Sequence, residues 1–284
     1  MTFWFMQIFN GLSFAMLLFL LAAGFSLIFG LMRILNLAHG SFYLLGAYVG
    51  VAVIKQTESF TMGIVVAVGV VALVGVVVHR FFLSRCYNNP LSQVLVSLGF
   101  LFIIADTALW IWGGTPQSLP RPSLFDRSYH FGDLMIPSYR AFVIGVGVTI
   151  GAGLWYFQEK TRLGAIIRAG VDDEEMTRGL GINVPFLFNA VFALGAILAA
   201  LGGVLGGPIV GVYPGVDFEI LLYALVVVII GGLGSLKGAF VGALVVGILD
   251  HFGKALFPEI SLFTIFAPMV IILALKPGGL FGRP

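Results

Sequence analysis

Polar residues are sparse along this chain, so its pattern reads as long apolar runs with brief interruptions. A helix that crosses a bilayer must satisfy its own backbone groups over a hydrocarbon core about 30 Å thick, which takes roughly 17 to 25 apolar residues. Nine runs approach that length: Phe9 to Leu31, Gly40 to Ile54, Phe60 to Val78, Leu91 to Trp112, Tyr139 to Phe157, Pro185 to Leu205, Glu219 to Ile230, Gly238 to Leu256 and Leu262 to Leu275. The second, seventh and ninth are short, as re-entrant or tilted elements are. The pattern predicts an all-α integral membrane protein, a polytopic helical bundle of about eight to ten spanning or half-spanning helices.

Composition removes the soluble alternatives. Of 284 residues 60% are hydrophobic and 10% charged, too little polar surface to wrap a water-soluble core. The formal net charge of +2 leaves no electrostatic footprint for nucleic acid. The single cysteine, Cys86, makes neither an internal disulfide nor a cysteine-based metal site. The first residues carry no basic segment and no small-residue cleavage site, so the first run is expected to be a permanent span and no signal peptide is expected.

Lysine and arginine orient the bundle. With the C-terminus inside, Arg33, Arg80, Arg85, Lys160, Arg162, Arg168, Arg178, Lys237, Lys276 and Arg283 fall on the cytoplasmic side, and Lys55, Arg121, Arg127, Arg140 and Lys254 on the other, ten against five. The N-terminus is then outside. Two connections are long: Gly113 to Ser138, outside, with four prolines, and Gln158 to Val184, inside, the most densely charged stretch.

Small residues four apart let membrane helices approach closely, and Gly147 with Gly151, Gly195 with Ala199 and Gly203, and Gly238 with Gly242 are read as packing positions. Asp250 and Lys254 stand four apart, with His251 beside them, as an intrahelical ion pair near the outer end. Asp106 lies deeper, with Thr107 and Trp110 as neighbours able to satisfy it, and His79 beside Arg80 is expected at a membrane edge. No zinc-type histidine spacing and no serine nucleophile motif occurs. The stretch GGLGSLKG, Gly231 to Gly238, lacks the glycine before lysine and the hydroxyl after it that a phosphate-binding loop needs, so a tight helix connection is expected and no ATP site.

Within the inner connection, Asp172 is expected to cap a short helix of roughly two turns, with Glu175 completing a capping box. Asp173 and Glu174 place negative charge at the helix start, Glu174 and Arg178 pair at i and i+4, and Gly179 or Gly181 ends it. So short a helix needs an external support. Its apolar anchors are only Met176 and Leu180, and its acids suit an anionic membrane surface poorly, which favours docking into a partner protein.

The segment GLMRILNLAHG, Gly30 to Gly40, has two readings. In one it is interfacial: Arg33 snorkels, Asn36 caps, and His39 before Gly40 ends a turn. In the other, NLAHGS is a broken element dipping into the bundle, where Asn36, His39, Gly40 and Ser41 line a path.

The runs GLMRILNLAHGSFYLLGAYVG, RAGVDDEEMTRGLGINV and GGLGSLKGAFVGALVVG, followed by KPGGLFG, together resemble the branched-chain amino-acid ABC transporter permeases of the Liv type, and within them the LivH-like member. The resemblance spans nearly the whole chain and departs at one position, Thr177 or Met176, where alanine is more usual. It implies an ABC importer permease fold over residues 1–284, with a cytoplasmic coupling element at 158–184 that presses into a separate ATPase through Arg168, Asp172, Asp173, Glu174, Glu175, Arg178, Gly179 and Gly181. It implies import of branched-chain or related amino acids across a bacterial or archaeal inner membrane. No cofactor is expected in this chain, and ATP and Mg belong to the partners. Those partners are two ATP-binding cassette subunits, a second, LivM-like permease and a periplasmic or extracellular binding protein. The alternative is an ion-coupled secondary transporter with Asp106 or Asp250 as its ion site.

Overall fold

The computed structural model describes residues 2–33, 35–86, 89–131 and 134–282. All nine apolar runs are helices: α1 (Thr2–Met32), α2 (His39–Thr57), α3 (Phe60–Phe81), α4 (Pro90–Trp112), α5 (Ser138–Lys160), α8 (Val184–Val210), α9 (Val216–Gly231), α10 (Leu236–Leu256) and α11 (Ser261–Leu275). The inner connection adds α6 (Arg162–Asp172) and α7 (Glu174–Gly179). Among the described residues, six helices are long and apolar enough to cross a membrane: α1, α3, α4, α5, α8 and α10. The three short runs are helices of 19, 16 and 15 residues, and α2 and α9 are not among the six.

Polar residues mark where these helices start. Ser59, Asn89, Asn183 and Ser235 each accept a hydrogen bond from a backbone N–H three residues on, at 3.0 to 3.3 Å, and so occupy one of the donors that a helix leaves unpaired at its start. Pro90 fits the same logic, because a proline at the first helical position has no N–H to leave unpaired.

Helix α1 is the axis of the bundle, enclosed by α5, α8, α9 and α10. Its contacts use the predicted small positions. Gly147 and Gly151 of α5 receive Met16 and Phe19, and Gly195 of α8 meets Gly24 backbone to backbone. Gly203 lies against the Tyr43 carbonyl of α2, and Gly242 and Gly238 of α10 lie against Val227 and Gly231 of α9. Lipid is as apolar as leucine, so helices gain by close van der Waals contact and not by leaving water, and a missing Cβ is what permits it here.

The fold is the expected all-α bundle, and the long outer connection adds two short strands, β1 (Ser128–Phe131) and β2 (Leu134–Pro137), paired antiparallel with Tyr129 opposite Ile136. Gln117 pairs with Val212, tying this connection to the link between α8 and α9, and Lys55 bonds the Gln117 side chain. At the other end, Arg33, Arg168 and Lys237 gather around one cavity. Charge counting had put Lys55 on one side and these three on the other, and they occupy opposite ends accordingly. Arg283 lies outside the described residues. The C-terminal segment returns to this end, where Leu280 and Phe281 donate to the carbonyls of Ile230 and Gly231, each at 2.9 Å.

Two single changes test the packing. Gly203→Ala should cost about 1 to 3 kcal/mol, because its methyl group meets the Tyr43 carbonyl. Gly153→Ala faces open space and should stabilise by up to about 1 kcal/mol through helix propensity alone. Thermal unfolding in detergent reads both, and equal shifts would refute the close-approach account.

Candidate substrate path and coupling surface

The GLMRILNLAHG segment breaks the helix and turns back into the bundle. Helix α1 ends at Met32, and Arg33 takes a left-handed backbone, φ 51°. Ile34 lies outside the described residues. At His39 the chain becomes helical again, and the His39 Nε2 lies 3.0 Å from the Leu21 carbonyl. Leu21 stands roughly 16 Å back along α1 from Met32. Ser41 donates toward the carbonyl of Leu101, at 3.1 Å, near the middle of the 23-residue α4. Helix α2 therefore begins at the mid-depth of its neighbours, and the re-entrant reading is the one the geometry fits.

Several interfacial expectations are corrected. Asn36 caps nothing: Ala38 holds the N-cap position of α2 with no side-chain cap. The Asn36 amide is fully buried, and neither its nitrogen nor its oxygen has a partner among the described residues. His39 starts a helix and does not end a turn. His79 stands in the last turn of α3, as expected for a helix edge, and is covered there by α8: its Nδ1 is 2.8 Å from the Asn189 carboxamide oxygen and its ring stacks on Phe192.

The four candidate residues do not share one face. His39 turns toward α1, with its ring edge-on to Phe25. Gly40 faces α9, where a Cβ would strike the carbonyl of Asp217. Ser41 faces α4 and also reaches the Asp217 carboxylate at 3.2 Å. Asp217, only 2% exposed in the first turn of α9, was not foreseen, because the apolar run was taken to start at Glu219. Its only sequence signal is an acid just after Gly215, at a helix start. Ser97 of α4 was also missed; its hydroxyl accepts from the Leu37 N–H at 3.1 Å and lies 3.3 Å from the Leu35 carbonyl. The expected coupling residues stand apart from this group, along α6 and α7.

In that second group the cap is shifted by one residue. Helix α6 continues through Asp172, so Asp173, in extended conformation, is the N-cap of α7 and accepts from the Met176 N–H at 2.8 Å. This places Met176, not an acid, three residues after the cap, and the expected capping box is absent; the Asp173 N–H is already taken by the Ala169 carbonyl. The side chains of Asp172 and Glu174 lie outside the described residues. Glu175 sits in the first turn, Arg178 in the last, and Gly179 ends the helix. Gly181 has φ 81° and donates to the Arg178 carbonyl at 2.9 Å, the left-handed stop that glycine adopts without steric cost. Met176 and Leu180 are 64% and 72% exposed, while Thr177 is buried.

Of the other acids, Asp250 is bonded by Lys254 and by the Tyr223 hydroxyl, each at 2.9 Å, as an ion pair with an added donor. Asp106 is on the exposed face of α4, and neither predicted neighbour satisfies it: the Thr107 hydroxyl bonds the Ile103 carbonyl, and Trp110 points outward, 86% exposed.

A bundle of membrane-crossing helices, interrupted at mid-depth by a buried polar break and carrying a short helix with uncovered apolar anchors at one end, is a transport architecture. The family model described as branched-chain amino acid transport system / permease component matches residues 7–275, and the chain belongs to that family. It is 29% identical to the high-affinity branched-chain amino acid transport system permease protein LivH of Escherichia coli (strain K12), over 98% of this chain and 95% of that one. It is 27% identical to the corresponding permease protein BraD of Pseudomonas aeruginosa, with the same coverage. A shorter match, 33% identical over 42% of the chain, is to the ribose import permease protein RbsC of Haemophilus influenzae. Among solved structures, PsaBC from Streptococcus pneumoniae in complex with Fab shares the fold, with a TM-score of 0.51, 16% identity, and 96% of this chain and 92% of that one covered.

The break depends on few bonds. Ser41→Ala removes a donor to a buried carboxylate and should lower stability by about 1.5 to 3 kcal/mol. Thr107→Ala, on the exposed face of the neighbouring helix, should stay within about 0.5 kcal/mol. Denaturation in the same detergent compares the two, and a silent Ser41→Ala would mean that the bond to Asp217 carries no weight.

Proposed function

We propose that this chain is the membrane-spanning permease of an ABC importer that moves branched-chain or related amino acids inward across a bacterial or archaeal inner membrane. The observation that carries this reading is the whole-length match to permeases of that system, joined to a bundle with a polar break at mid-depth. Residues 1–284 act as one transmembrane permease domain, with the C-terminus cytoplasmic and residues 158–184 as the coupling element. ATP and Mg are bound by two ATP-binding cassette partners, a second, LivM-like permease completes the membrane unit, and a binding protein delivers the substrate. This chain needs no cofactor of its own.

Asn36, His39, Gly40 and Ser41 belong to the substrate path. Irregular backbone at membrane depth is tolerated where protein or a water-filled cavity surrounds it, and the unpartnered Asn36 amide is a donor and acceptor held ready for a polar group that passes. A zwitterion with an apolar tail asks for few fixed charges. The coupling surface is α6 with α7, where Asp173 replaces Asp172 as the residue that fixes the helix start. Arg168, Glu174, Glu175 and Arg178 supply its charge, and Gly179 and Gly181 let the chain turn back into the membrane. The ion-coupled alternative gains no support from its two acids: Asp250 is ion-paired, and Asp106 faces outward.

Loss of the Asp173 cap should destabilise α7 by about 0.5 to 2 kcal/mol. Asp173→Ala and Gly181→Leu are therefore expected to leave the bundle inserted but to lower substrate-coupled ATPase activity and uptake about fivefold or more, while Asp172→Asn stays near wild type. Uptake, ATP hydrolysis and subunit co-purification measured on the reconstituted complex decide it. Normal transport by both altered proteins, or amino-acid accumulation by this chain alone, would overturn the coupling role.

A further inference from the structure

A cavity at one end of the bundle is lined by basic side chains. It measures about 780 Å³ and opens at the end of the bundle where α1 stops, between α5, α6, the α9–α10 link and the returning C-terminal segment. Three cations line it, Arg33, Arg168 and Lys237, against one carboxylate, Glu159. None of the three is in an ion pair among the described residues, and the Arg168 Nη1 is buried without a partner. Arg33 and Lys237 are exposed and Arg168 is half-buried, so the three present their donors to an anion entering the cavity. Arg33 is also held in a left-handed backbone, a strained state that persists where the surroundings demand it.

The rest of the lining specifies what kind of anion. Away from the charges the walls are apolar, with Leu27 of α1, Trp155 of α5, Ile229 of α9 and Leu273 of α11. Ser26 also lines the cavity, roughly 10 Å along α1 from Arg33; its hydroxyl is buried and has no partner among the described residues. Cationic, hydroxyl and apolar groups thus share one cavity. A phospholipid of the adjoining leaflet carries a matching set, an anionic phosphate beside ester oxygens and acyl chains. Basic pockets between membrane helices are suited to such head groups, and the excess of cations favours an anionic one.

We propose that this cavity is a binding site for an anionic glycerophospholipid, whose phosphate is held by Arg33, Arg168 and Lys237 and whose apolar part lies against Leu27 and Trp155. The lipid joins α6 to the α9–α10 link and the C-terminal segment, so it braces the element that precedes α7. The site does not depend on which substrate the bundle carries.

Trp155 is a built-in reporter. In the full chain with Trp4, Trp110 and Trp112 changed to phenylalanine, reconstituted in phosphatidylcholine vesicles, brominated phosphatidylglycerol should quench Trp155 more strongly than brominated phosphatidylcholine at equal content. Each of Arg33→Gln, Arg168→Gln and Lys237→Gln should weaken that preference about fivefold. Lys237→Gln, at an exposed position in the first turn of α10, guards against loss of fold, and Arg33→Lys should keep most of the preference. Inorganic phosphate and glycerol phosphate added to the vesicles should not relieve the quenching. Equal quenching by both lipids, or a preference that survives removal of the charges, overturns the proposal. Relief by soluble phosphate would make the ligand a free anion, and loss of the preference on adding the ATPase subunits would make the rim a protein contact; either result also overturns it.

Discussion

Backbone satisfaction in lipid is the constraint around which this structure is arranged. Between α1 and α2 the described residues Arg33 and Leu35 to Ala38 are not helical, and the buried ones, Asn36 and Ala38, lie where water does not replace the lost hydrogen bonds. Ser97 takes the Leu37 N–H, the Asn36 carbonyl takes the His39 N–H, and the Leu21 carbonyl meets the His39 ring. These partners come from α1, α4 and the break itself, so the interruption exists only because the neighbours were built to receive it. A lone hydroxyl on α4, which looks incidental along the chain, is thereby structural.

Close helix approach is the second requirement, and it follows from the first. Protein must surround the break on every side, so α1, α2, α8 and α9 have to crowd together, and glycine at the contacts is what lets them. Gly40 shows the coupling of the two needs. It permits α9 to bring Asp217 within reach of Ser41, which places a carboxylate inside the bundle with a hydroxyl as its partner. Packing and polarity at this point are a single arrangement.

Much of the fold was readable from hydropathy alone, because lipid imposes one length and one composition on every span. All nine helices were found that way, and their short members were recognised. Elements outside the hydrocarbon obey weaker rules. Helix α6 was read as part of a connection, since Arg162 and Arg168 interrupt its apolar residues, and missing it displaced the cap of α7 by one position. The hairpin at 128–137 was hidden among prolines. Ser41 and Asp217 are 176 positions apart, and no periodicity in one chain links them. The path candidates were found because a polar cluster between apolar runs is conspicuous; that His39 and Ser41 turn to different neighbours depends on where α1, α4 and α9 stand, which local pattern does not contain.

The mid-depth start of α2 also bears on how the chain is made. The helix has 19 residues and is not among those apolar enough to cross unaided, and two of the helices packed on it, α8 and α9, begin only at Val184 and Val216. During synthesis α2 therefore emerges beside α1, which receives His39, but well over a hundred residues before α8 and before the Asp217 that meets Ser41. The native surroundings of α2 are complete only when the C-terminal half has been made.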